Sequence, residues 1–243
     1  RLARAVTGSH DVLVIDGAYH GSTGNCVAMS PYKFDGPGGQ GCPDWVHVVP
    51  SPDGYRGEIR GHDENVGAAY GLEVGRVVGE ACARGRSIAG FFAEPILSCG
   101  GQVPLPPGYL AAAFDHVRKA GGVAIADEVQ VGFGRVGEAF WGFQLHDVVP
   151  DIVVMGKPIG NGHPMAAVVT TRAIADAFDN GMEFFSTFGG NPVSCACGMA
   201  VLDVIEDEAL QKKARDLGEV FLRGLRTLMA KHSLIGDVRG NGL

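Results

Sequence analysis

The chain has 243 residues, 46% of them hydrophobic, which suits one large globular domain or two small ones around a sizeable core. A net charge of −7 with scattered Lys and Arg excludes a general nucleic-acid binder, whose affinity comes from clustered positive charge. No apolar run approaches the roughly 18 residues that span a bilayer, and the opening RLARAVTGSHD lacks the regions of a signal peptide, so a soluble, cytoplasmic protein is expected.

In chain order, residues 1–7 read as the end of a helix, with Leu2, Ala3 and Val6 on one face and Gly8 as its stop. A domain seldom starts mid-helix, so the expectation is a piece of a longer protein. Val12 to Asp16 (VLVID) reads as a buried parallel strand that delivers Gly17, Tyr19, His20 and Gly21 at its end. Residues 30–62, rich in Gly, Pro, Asp and Ser, form a long excursion apart from a strand at Val46 to Val49. Glu64 to Arg84 has helical spacing, although Gly67, Gly71, Gly75 and Gly79 count against a straight helix. A strand at Ile88 to Ala93 ends in Glu94 and Pro95, and a helix at Tyr109 to Lys119 stops at two glycines.

Strands at Val123 to Ala126, Ile152 to Met155 and Ala166 to Thr170 follow, then a short helix near Ala173 to Phe178 and the polar connection Ser186 to Pro192. Two amphipathic helices come next. In the second, Leu210, Ala214, Leu217, Phe221, Leu225 and Leu228 share a face and are expected to pack in the core. Ile235 to Leu243 reads as a strand opening a further unit. The six cysteines have no CxxC or zinc-ligand spacing and are expected to be mostly small buried side chains in a reducing compartment; no metal site is expected.

Alternating strands and helices predict an open α/β sheet, in which ligands sit beyond the carboxyl ends of the strands. Tyr19, Glu94, Asp127 and Lys157 all fall at or just past such ends. Lys157, held by Pro158, Gly160, Gly162 and Pro164, would be a Schiff-base nucleophile if burial lowered its pKa, although a lone lysine after a strand is more often a solvated one. Asp127 and Glu128 follow four apolar residues, so at least one carboxylate faces the interior and needs a partner, either a structural ion pair or a protonated pyridine nitrogen. Gln130 is placed to donate to a ring oxygen, and Tyr19 to stack on a ring face. A nucleotide-binding α/β module is the rival of another class, but no GxGxxG opens a helix after the first strand and no GxxxxGK[ST] occurs.

The motifs ADEVQVGFGR, PDIVVMGKPIGNGHP and STFGGNP, in this order, resemble those of the class III aminotransferases, pyridoxal phosphate enzymes of fold type I. SPYKF, SCGGQ and IGDVRG add a likeness to the subgroup that holds alanine:glyoxylate-type aminotransferases and phospho-lyases acting on phosphoethanolamine or phosphohydroxylysine. The resemblance implies a mostly parallel sheet with flanking helices, pyridoxal 5′-phosphate as cofactor, and a homodimer with shared sites acting on an amine or amino acid and a keto acid. It implies Lys157 as the Schiff-base lysine, Asp127 at the pyridine nitrogen, Gln130 beside the ring hydroxyl, Tyr19 on the ring face and His20 lining the pocket. Thr187 would reach the phosphate of the neighbouring subunit's cofactor, and Glu94 is an acid on the substrate side. The Leu97-Ser98-Cys99 stretch departs from a Gln-Gly-Glu sequence common in the family, so substrate choice does not carry over. On this resemblance residues 1–232 are a cofactor-binding large domain lacking its N-terminal part, and 233–243 begin a small domain that is cut short. Transamination is the expected reaction, with phosphate elimination as the alternative.

Overall fold

A computed structural model describes residues 1–243. The short β-branched runs become strands: β1 (Asp11–Ile15), β2 (Val46–Val49), β3 (Ile88–Ala93), β6 (Val123–Asp127), β7 (Ile152–Met155) and β8 (Ala167–Thr170), while β4 (Ile96–Leu97) and β5 (Val103–Pro104) form a separate antiparallel pair. The six-stranded sheet has the order β2-β1-β3-β6-β7-β8, parallel except where β8 runs against β7. The helices are α1 (Leu2–Thr7), α2 (Gly24–Ala28), α3 (Pro31–Phe34), α4 (Glu64–Ala83), α5 (Tyr109–Lys119), α6 (Arg172–Phe178), α7 (Pro192–Asp207) and α8 (Leu210–Met229).

The sheet is covered on both faces, as parallel strands that are apolar on both sides require. Leu13, Ile15 and Phe91 point to one face, against Val74 of α4 and Leu110 and Phe114 of α5. Val12, Val14, Ala89 and Ile125 point to the other, with Ala3 of α1, Phe34 of α3 and Ile174 of α6. From β1 the chain moves to β2 on one side, and from β3 to β6 on the other. The loops after β1 and β3 therefore part at a topological switch point, where an open α/β sheet makes a crevice.

Three expectations are corrected. The apolar row of α8 is not core: within this chain only Ala214 and Gly218 of the helix are buried, while Leu217, Phe221 and Leu228 are exposed. Periodicity shows that a helix has an apolar face but not what covers it. Ile235 to Leu243 is in no strand, and its segment is held to the rest of the chain chiefly by one side chain. The Arg239 guanidinium donates to both oxygens of Asp53 at 3.2 Å, to Gly101 O at 2.9 Å and to Gln102 O at 3.1 Å, and Leu243 N donates to Arg135 O. None of the six cysteines is buried; all are free thiols, four of them exposed.

Candidate active site

Asp127 ends β6, which pairs in register with β7 so that Asp127 lies opposite Val154. Lys157 stands three residues beyond Val154, so acid and amine project from the ends of adjacent parallel strands. Asp127 is buried; its Oδ2 meets His20 Nδ1 at 2.8 Å and its Oδ1 accepts from Val129 N at 3.1 Å. His20 comes from the turn after β1, its amide donating to the buried Ser30 hydroxyl at 2.9 Å. The imidazole therefore backs the carboxylate; like Asp127, Tyr19 and Glu94 it lies outside the lining of the large cavity described below, and its Nε2 is buried without a partner.

Lys157 is exposed in the single chain, contrary to the buried amine on which the sequence argument for a lowered pKa rested. It forms no ion pair, and its Nζ donates to Gln130 Oε1 in a short hydrogen bond. Its backbone sits at φ 32°, a left-handed conformation costing a non-glycine residue about 1–3 kcal/mol. Pro158 behind it and the buried Gly156 before it hold the bend, since a Cβ on Gly156 would lie 3.3 Å from Val129 Cγ1. With Gln130 Oε1 taken by the amine, Gln130 Nε2 remains free to donate.

Tyr19 is half-buried, its hydroxyl 2.8 Å from Ser22 Oγ and its ring edge-on to Tyr32. Lys33 Nζ lies 5.5 Å from the Tyr19 ring centroid. Glu94 is buried with both oxygens used by this chain: Oε1 accepts from Tyr19 N at 2.9 Å, and Oε2 from Ser98 N at 3.1 Å and Ser98 Oγ at 2.6 Å. Its carboxylate thus ties the loop after β1 to the turn after β3 across the switch point. Thr187 lies in the exposed segment before α7, outside the lining of the large cavity.

That cavity, about 860 Å³, opens over Lys157 and Gln130 and is walled by Ile96, Val131, Met165, Phe221 and Leu225. Sequence reasoning missed several residues here. Ser98 stands out in the sequence as part of a departure from the family's pattern, which gives no sign of its bonds to Glu94 four residues earlier. His163, whose Nε2 lies 2.8 Å from Ser194 Oγ, and Arg239 were within quoted motifs but had no assigned partner.

A family model described as aminotransferase class-III matches residues 1–243. Over its whole length the chain is 51% identical to a Drosophila melanogaster protein named alanine–glyoxylate aminotransferase 2-like, covering 50% of that protein. Among solved structures, a phospholyase from Arthrobacter in complex with phosphoethanolamine matches with a TM-score of 0.91 at 38% identity. An amine transaminase from an uncultivated Pseudomonas species, in the PLP-bound form, matches with 0.89 at 28%. Each match covers all of this chain and 57% of the other. The chain spans about half the length of the curated relatives it matches.

Proposed function

Because the chain belongs to the class-III aminotransferase family, we propose that its Lys157 binds pyridoxal 5′-phosphate covalently and that the protein transfers an amino group between an amine or amino acid and a keto acid. The observation that carries this reading is the Lys157 amine, unpaired with any carboxylate and bonded only to Gln130, beside a strand that ends in the buried Asp127. These residues fit the cofactor: an amine outside any ion pair for its aldehyde, a carboxylate for its ring nitrogen, and a spare amide donor on Gln130 for its ring oxygen. When bound, pyridoxal phosphate supplies an electron sink for the bond broken next to the substrate nitrogen.

This chain's own residues do the rest. Lys157 would take the proton from the carbon beside the substrate nitrogen and would deliver it to the carbon on the far side of that nitrogen. Asp127, oriented by His20 Nδ1 and Val129 N, holds a proton at the ring nitrogen. Tyr19 offers its ring as a wall, and Glu94 acts on the substrate side through Tyr19 and Ser98, which it positions. Thr187 is assigned to the phosphate of the neighbouring subunit's cofactor, so the working form is a homodimer with shared sites. We further assign residues 1–232 to the cofactor domain and 233–243 to the start of a smaller one. The six free cysteines suit a reducing compartment, for which we take the cytoplasm; no helix is long and apolar enough to cross a membrane.

A second reading, elimination of phosphate from a phosphorylated amine, is favoured by the match to the Arthrobacter phospholyase. The test incubates the natural full-length protein with phosphoethanolamine and no keto acid and assays inorganic phosphate. Transamination is expected to leave phosphate at background and to need a keto acid; stoichiometric phosphate release selects the lyase. Lys157→Ala is expected to abolish both turnover and the visible absorption of the bound cofactor, and a persisting band removes Lys157 from its role.

A further inference from the structure

The charges around the cavity are one-sided. Its lining holds Lys157, Arg135, Arg239 and His163 but no Asp or Glu. Three of these four are committed. Lys157 bonds Gln130, His163 bonds Ser194, and Arg239 is spent on Asp53, Asp237 and two backbone carbonyls. Arg135 alone has neither an ion pair nor a side-chain hydrogen bond.

Its backbone, in contrast, is fixed. Arg135 lies in a tight turn between Gly134 (φ 78°) and Gly137 (φ 77°), closed by Gly137 N donating to Gly134 O at 3.0 Å. The turn is pressed on α8, since a Cβ on Gly137 would fall 2.6 Å from Arg215 Cα and one on Gly134 2.9 Å from Gln211 Cβ. Arg135 O also accepts from Leu243 N at 3.1 Å. An uncommitted, exposed guanidinium on a rigid turn, lining a cavity of mixed polar and apolar walls with no acidic side chain, is arranged to receive an anion, and its planar fork matches carboxylate and phosphate alike.

We infer that Arg135 is the specificity residue that holds the anionic end, carboxylate or phosphate, of a small primary amine presented to Lys157. The inference rests on the proposed amine chemistry at Lys157 and adds which amines are accepted.

The test uses the full-length holoenzyme and its Arg135→Met and Arg135→Lys variants. Spectral titration gives dissociation constants for β-alanine (carboxylate), phosphoethanolamine (phosphate) and n-butylamine (no anion). Arg135→Met is expected to weaken the anionic amines roughly ten- to a hundredfold, the scale of a charge-assisted hydrogen bond, and to leave butylamine within about twofold. Arg135→Lys should recover part of the loss, and the more affected of the two anionic amines identifies the preferred anion. Equal losses for all three amines, or no loss, overturns the inference. If the wild type takes up no amine, the proposed function fails instead. Calorimetric binding of propionate, which cannot react, then decides the Arg135 subsite: wild-type binding that Arg135→Met abolishes supports it, and identical or absent binding overturns it.

Discussion

Glu128 is fully buried next to Asp127, its oxygens accepting from Gly142 N and Phe143 N at 2.8 Å each. Burial pushes its carboxyl from an ordinary 4.5 up to about 7; the two amides pull it down and the charge of Asp127 adds a further push upward. An acid whose pKa is raised on folding holds its proton more tightly in the folded chain, so stability falls as pH rises from about 4.5 to about 7. Across that window the wild type should lose about 3 kcal/mol relative to Glu128→Gln, whose amide does not titrate. Urea midpoints of both proteins between pH 4.5 and 8 check this; parallel curves contradict it. The apolar run places Asp127 and Glu128 at its end but does not say what partners either carboxylate. The answer came from partners remote in sequence, His20 for one and the Gly142 turn for the other.

At the scale of elements, α4 shows where a propensity reading misleads. Three of its four evenly spaced glycines form the seam with α5: a Cβ would lie 1.8 Å from Pro107 O at Gly67, 2.4 Å from Ala112 Cβ at Gly71 and 2.7 Å from the His116 ring at Gly75. At Gly79 nothing lies within 4 Å. The same substitution should therefore have opposite signs at the two ends of one helix. Gly67→Ala is expected to destabilise by about 1–3 kcal/mol, because a backbone carbonyl cannot turn aside as a side chain does. Gly79→Ala should stabilise by about 0.5–1 kcal/mol, the ordinary cost of glycine in a helix. Thermal unfolding of the two variants separates them. Most element positions were legible, since β2, β3, α5 and β7 have the bounds that the sequence pattern predicts. The burial of α8 was not, because a 3.6-residue period marks an apolar face without naming what lies against it.

At the scale of the molecule, a group of exposed large apolar side chains follows β8. Phe184, Phe185, Phe188 and Val193 are all more than three-fifths exposed, with Phe188 at 80%. Exposed apolar side chains grouped in one segment are what a subunit interface would cover. Under the proposed homodimer, Phe188→Glu should shift the full-length protein toward monomer in light scattering and lower its cofactor occupancy, since the neighbouring Thr187 would lose the partner site it serves. An unchanged dimer would remove this segment from the interface.

The sequence by itself determined the α/β alternation, the strand ends and the identity of the groups placed there, because strand length, helical period and turn chemistry are local properties. It also carried the family, through motifs whose order needs no coordinates. Only the tertiary structure decided that His20 backs Asp127, that Glu94 is spent on Tyr19 and Ser98, that Lys157 is exposed and strained, and that Arg135 is left unpartnered in the lining of the same cavity. Each of those facts concerns which distant side chain fills a bond or a space, and the packing of strands and loops across the whole chain settles that.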